Sequence, residues 1–159
     1  MIVVSDTTII SNLYQVDLLP LLTSLYGEVI IPQAVADELH RLGPNLVHAF
    51  GWLTVRQVST TEQLTQLLRE LDIGESEALV LAQELQADWL LIDERKGRYY
   101  AELLHLAYIG TLGVLLEAKK AGLIPAVRPV LDELQHKAGA WYHTSLIREV
   151  LRQANESDS

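Results

Sequence analysis

Apolar positions along the chain switch repeatedly between strand-like runs and helical spacing, and the switches mark its elements. Residues 2–5 form a short β-branched run closed by Asp6-Thr7-Thr8, residue types that cap helices. Ile9, Ile10, Leu13 and Tyr14 then recur at helical spacing, so the reading is strand, then helix. Residues 18–25 make a second short helix that tolerates Pro20 in its first turn and ends at Gly27. Residues 29–31 are the next strand, and Pro32 opens a helix whose stripe, Val35 and Leu39, leaves Glu38 on its flank. That helix stops near Gly43-Pro44. Residues 52–58 alternate as a strand does, and Thr60 or Thr61 caps a helix bearing Leu64, Leu67, Leu68 and Leu71, broken at Asp72-Ile73-Gly74. From 75 to 86 the positions Ala78, Leu81, Ala82 and Leu85 are helical, and 89–92 is a buried-type strand ending at Asp93. A helix over 94–104, a short strand at 107–109 and a helix from Gly110-Thr111-Leu112-Gly113 to Lys120 follow, with two further helices at 129–137 and 144–153.

Strands alternating with helices require right-handed crossovers and a mostly parallel central sheet flanked by helices, an α/β fold. No linker divides the chain, so residues 1–154 read as one domain with the helices of about 129–154 packed on it, and 155–159 as a polar tail that frays. Ligand sites of such sheets lie beyond the carboxyl ends of the strands, where the strand order reverses. Asp6 and Asp93 each sit at one such end.

Composition narrows the picture. At 159 residues with 49% apolar and 21% charged residues, the chain has the make-up of a packed globular domain that needs no staples. It has no cysteine, which excludes disulfides, thiolate metal sites and a cysteine nucleophile. The start Met1-Ile2-Val3-Val4-Ser5-Asp6 lacks a secretory pattern, and no apolar run reaches the ~18 residues of a membrane span, so a cytoplasmic location is expected. The net charge of −9 opposes non-specific nucleic-acid binding, although Arg95, Lys96, Arg98, Lys119 and Lys120 are expected to form a local basic patch. The five histidines show no metal-ligand spacing, and Trp52, Trp89 and Trp141 are read as packing residues rather than base-stacking platforms.

Taken one at a time, the acidic residues have ordinary explanations. Asp6 and Asp93 are placed as helix N-caps, Glu77 favours the positive end of its helix, and Glu38 suits a solvated face. Jointly, two strand-end aspartates and two glutamates from bordering helices are placed to converge on one rim. Two carboxylates ~4 Å apart repel by about 1 kcal/mol in water and about 4 kcal/mol at a surface-like dielectric, so four in one cleft call for counter-charge. An all-oxygen set selects Mg²⁺ or Mn²⁺ over zinc. Glu75 rivals Glu77, because residues two apart on a helix lie about 200° from each other, and Asp37 likewise neighbours Glu38 at about 100°.

Four segments resemble the PIN-domain nuclease family, and within it the small prokaryotic branch related to VapC-type toxins. They are Val3-Val4-Ser5-Asp6-Thr7-Thr8, the stretch from Tyr26 through Pro32 to Glu38-Leu39, Gly74-Glu75-Ser76-Glu77-Ala78, and Leu90-Leu91-Ile92-Asp93 continuing to Gly110-Thr111-Leu112-Gly113. The resemblance implies a three-layer PIN-like fold and a ribonuclease whose acidic quartet, here Asp6, Glu38, Glu77 and Asp93, binds Mg²⁺ or Mn²⁺. It selects Glu38 over Asp37 and Glu77 over Glu75, although most PIN domains carry aspartate at that third position. Thr8 and Thr111 match neighbouring hydroxyl positions, with helix capping as their ordinary role. The likeness further implies products with 5′-phosphate and 3′-hydroxyl ends, a homodimer and a small antitoxin partner. A different class of function is a non-catalytic PIN-like interaction module with an acidic surface, which the −9 charge favours. A phosphohydrolase or receiver-like phosphoacceptor built on Asp6 is weaker, because Thr8 stands where an Asp-x-Asp pattern needs its second acid.

Overall fold

Short strands apolar on both faces are stable only when helices cover both sides, and the connections of this chain supply that cover. The computed structural model describes residues 1–156. Its strands are β1 (Val3–Ser5), β2 (Val29–Pro32), β3 (Leu53–Arg56), β4 (Trp89–Leu91) and β5 (Tyr108–Ile109). Its helices are α1 (Thr7–Gln15), α2 (Leu21–Tyr26), α3 (Gln33–Leu42), α4 (Leu46–Ala49), α5 (Glu62–Leu67), α6 (Ile73–Glu84), α7 (Arg95–Leu103), α8 (Thr111–Lys120), α9 (Arg128–Lys137) and α10 (Thr144–Gln153). The strands form one sheet in the order β3-β2-β1-β4-β5, and every pairing is parallel.

Alternation along each strand divides the core between the two faces. Val3, Val29, Ile31, Leu53 and Leu91 pack with buried residues of α1, α2, α3, α8, α9 and α10. Val4, Ile30, Leu90 and Ile92 pack with α5, α6 and Ala101 of α7. Fully burying one such aliphatic side chain contributes roughly 1.5–3 kcal/mol, so these layers supply the main driving force for the fold. The strand order reverses between β1 and β4, where Val3, Val4 and Ser5 lie opposite Trp89, Leu90 and Leu91. The Asp6 amide continues the ladder to the Leu91 carbonyl at 2.9 Å, bringing the carboxyl ends of these two strands side by side.

Three expectations need correction. Helix α4 was not foreseen, because four residues anchored by the single buried Leu46 carry no readable period. Helix α6 starts at Ile73 rather than at Glu75: Asp72, read as part of a break, is its N-cap and accepts from the Glu75 amide at 2.8 Å. The tail expected to fray is held at Glu156, whose carboxylate accepts from the Val127 amide at 2.7 Å, the Arg128 amide at 3.0 Å and Lys119 Nζ at 3.1 Å. Lys119 also donates to the Ala154 carbonyl, so α8 and the end of α10 are tied together. Residues 157–159, the rest of the expected tail, lie outside the described residues.

Candidate functional site

The rim at the β1–β4 ends is built outward from Asp6. This residue has extended backbone (φ −82°, ψ 173°), caps α1 by accepting from the Thr7 amide at 2.7 Å, and is 3% exposed. Burial pushes its pKa up to about 7, against the lowering effect of the Thr7 amide, and Asp72, Glu38 and Asp93 add repulsion. Glu38 comes in from α3 and accepts from Thr7 Oγ1 at 2.5 Å, while its neighbour Asp37 is exposed and bonds Gln33. Gly74 of α6 makes room for it: a Cβ there would stand 2.7 Å from Glu38 Oε1.

On α6 the two candidate glutamates part company. Glu75 is 9% exposed, and its Oε2 is buried without a hydrogen-bond partner among the described residues. Burial first, then a hydrogen bond to Asp72 and the repulsion of Asp72, Asp6 and Glu94, push its pKa up to about 8. Glu77 turns instead toward the start of α3, where its Oε1 accepts from the Ala34 amide at 3.1 Å. The reason is local: the N-cap of α3 is Pro32, whose ring offers no acceptor, and a carboxylate from α6 meets the open positive end. The structure thus brings Asp6, Glu38 and Asp93 into one electrostatic group and adds Asp72 and Glu75, with Glu77 directed elsewhere. Asp72 was overlooked although the sequence carries a signal for it, since Asp72-Ile73-Gly74-Glu75 has the spacing of a capping box.

Asp93 does not cap the helix that follows it. It accepts from the Thr111 amide at 2.7 Å and Thr111 Oγ1 at 2.5 Å, so it holds the first residue of α8. Arg98 lies 3.5 Å from Asp93 Oδ1 and donates to the Ile92 carbonyl at 3.2 Å. Asn12 Nδ2 reaches Thr111 Oγ1 at 3.4 Å from α1. Gly110 lets α8 approach, because a Cβ there would stand 2.6 Å from Asp93 Oδ1. Thr8 is exposed and lines the cavity beside Asp93.

The expected basic patch is largely neutralised. Lys96 pairs with Glu70, Lys120 with Glu117, Lys119 with Glu156 and Arg98 with Asp93, while Arg95 is exposed and makes no ion pair among the described residues. Trp52 and Trp89 pack half-buried against the core, but Trp141, expected to pack, is 78% exposed. The Tyr142 hydroxyl is buried toward Thr111, and burial together with the charge of Asp93 pushes its pKa up to about 12.

Among the described residues, no three acidic or histidine side chains stand in a metal-ligating arrangement. The carboxylates are turned onto Thr7, Thr111, Asp72 and backbone amides instead. Even so, the residues present fit a hard divalent cation. The donors are all oxygen, the buried Oε2 of Glu75 is unpartnered, and the cation paired at this rim, Arg98, faces Asp93.

Fold and rim together define a doubly wound parallel α/β domain with an acidic cluster at the switch point of its sheet. The chain belongs to the PIN-domain family, since the family model DUF3368, described as a PIN domain, matches residues 2–156. Members of the PIN family are generally nucleases, and those nucleases generally use divalent metals. Among solved structures, a PilT N-terminus domain protein, SSO1118 from the archaeon Sulfolobus solfataricus P2, superposes with a TM-score of 0.54 over 90% of this chain and 98% of its own. Its 17% identity makes this a likeness of fold. No curated protein matches the chain. Among the described residues no helix is long and apolar enough to cross a membrane.

Proposed function

We propose that this PIN domain is a ribonuclease that hydrolyses phosphodiester bonds with Mg²⁺ or Mn²⁺ held by Asp6, Glu38, Asp93 and the α6 glutamate Glu75, which replaces Glu77 in the expected quartet. One observation carries the reading: the buried carboxyls of Asp6 and Glu75 meet Glu38, Asp72 and Asp93 where the strand order reverses, and Glu75 Oε2 has no hydrogen-bond partner among the described residues. Asp6, Glu38, Glu75 and Asp93 would hold the divalent ion, which when bound would offset their repulsion and supply Lewis acidity toward water and the scissile phosphate.

The chain's own residues orient this chemistry. Thr7 aims Glu38, and Thr111 with Arg98 aims Asp93, while Asn12 fixes the Thr111 hydroxyl. Such supporting bonds hold ligating carboxylates in productive rotamers. We assign Glu75 Oε2, unpartnered among the described residues, as the acceptor of the attacking water's proton. No protein nucleophile takes part.

Asp6→Asn is expected to abolish Mn²⁺-dependent cleavage of RNA while keeping the metal-free melting temperature at or above that of the parent. Retained cleavage in that variant overturns the assignment. A non-catalytic interaction module remains the second reading, favoured by the net charge of −9 and by the pairing of Lys96, Arg98, Lys119 and Lys120 with carboxylates. Titration with Mn²⁺ separates the two, because a metal site raises the melting temperature by mass action and a dispersed acidic face does not. The toxin role, the antitoxin and the homodimer extend the proposal by resemblance, and co-purification with a small partner encoded beside this chain tests them.

A further inference from the structure

We infer that the cavity flanking Asp93 is a nucleobase subsite that takes one unstacked base of a single-stranded nucleic acid next to the cleavage centre, with Trp141 as its stacking platform. The inference rests on the nuclease reading and adds to it how substrate is held. The cavity measures about 430 Å³ and opens beside Asp93, between the α1 and α7 starts and the segment joining α9 to α10. That volume lies within the roughly 300–1,000 Å³ of small-molecule sites.

Its lining has the chemistry of base and phosphate recognition. Trp141 lines the cavity, is 78% exposed and stands in a T-shaped pair with His143, ring centroids 6.0 Å apart. Tyr142 lines the cavity beside Trp141, with its hydroxyl buried toward Thr111. Arg95 is exposed and unpaired among the described residues, and Arg98 stands beside Asp93. The charged lining residues are Asp93, Glu94, Arg95 and Arg98, so the cavity is locally neutral on a chain of net charge −9. This is where a polyanion meets least repulsion at the acidic rim. Bases within a duplex are stacked and paired, so a pocket of this kind selects a single strand.

Fluorescence anisotropy of a short, labelled single-stranded RNA, read in the Asp6→Asn background so that the strand stays intact, tests the subsite. Trp141→Ala should raise Kd roughly 5- to 150-fold, the range of one lost base–aromatic stack, and Trp141→Phe should recover most of it. An abasic nucleotide walked along the strand should, at one position, remove the difference between Trp141 and Trp141→Ala, and a duplex of the same sequence should compete poorly. An unchanged Kd in Trp141→Ala, a difference that no abasic position removes, equal competition by the duplex, or no binding by the Trp141-intact protein overturns the inference. The Mn²⁺-induced rise in melting temperature of the otherwise unaltered chain is read in parallel, with and without Trp141→Ala. Its absence in both strikes the nuclease reading, whereas its presence in both with a Trp141-independent Kd strikes the subsite alone.

Discussion

Glu75 and Glu77 share one helix and one charge, yet their surroundings assign them opposite work. Glu75 is buried beside Asp6 and Asp72 with an unpartnered oxygen, whereas Glu77 meets the open amide end of α3 at Ala34. Replacing Glu75 by Gln removes a raised carboxyl from the rim, and Mn²⁺-dependent cleavage should fall by at least about 100-fold, the scale of a lost general base. The same change at Glu77 should leave cleavage near the parent level and lower stability by about 0.3–1 kcal/mol, the usual worth of a charge at a helix N-terminus. Cleavage assays and denaturant melts of both variants decide the matter. A loss of activity at Glu77 with none at Glu75 would return the quartet to its sequence-based form. Periodicity states that the two side chains diverge and not which of them faces the strand ends, because that depends on how α6 is rotated against β1 and β2.

At the scale of elements, ends matter more than middles. Asp93 bonds the start of α8, Glu77 the start of α3, and Glu156 the amides of Val127 and Arg128 that open α9. Burial by itself would raise the Glu156 carboxyl, but those amides and Lys119 hold it below the usual glutamate range. Glu156→Gln should therefore destabilise the fold by roughly 1–2 kcal/mol at neutral pH, measured by urea melts. The depressed group stabilises above its unfolded pKa, and that part of the difference disappears as pH falls through the folded one. The strands and nine of the ten helices among the described residues were legible in the sequence because each joins a clear period to a cap or breaker, as with Thr61 before Leu64 and Gly110 before Thr111. What escaped was not periodic. A single turn at Leu46, a carboxylate reaching back from Glu156 and an arginine crossing from α7 to Asp93 are tertiary pairings that no local pattern encodes.

Across the whole molecule, the acidic rim ties stability to pH. Asp6 rises from 3.8 to about 7 and Glu75 from 4.5 to about 8, so between those limits the folded chain holds more protons than the unfolded one. Their contribution is complete below the unfolded values and is lost as pH climbs through the folded ones, so the metal-free melting temperature should drop from pH 5 to pH 8. Mn²⁺ must displace those protons, and its stabilising shift should be larger at pH 8 than at pH 6. Calorimetry at both values checks the pair of trends, and a metal effect independent of pH would argue that the ion binds elsewhere. The sheet order placed Asp6 and Asp93 together because β1 finds its second neighbour, β4, far along the chain, where Ile2 and Asp88 also clasp through 2.6 and 2.7 Å bonds. This pairing gives synthesis a built-in delay. A nascent polypeptide still lacking β4 exposes Asp6 with nothing across from it, so the acidic rim cannot assemble until the chain has emerged past residue 91.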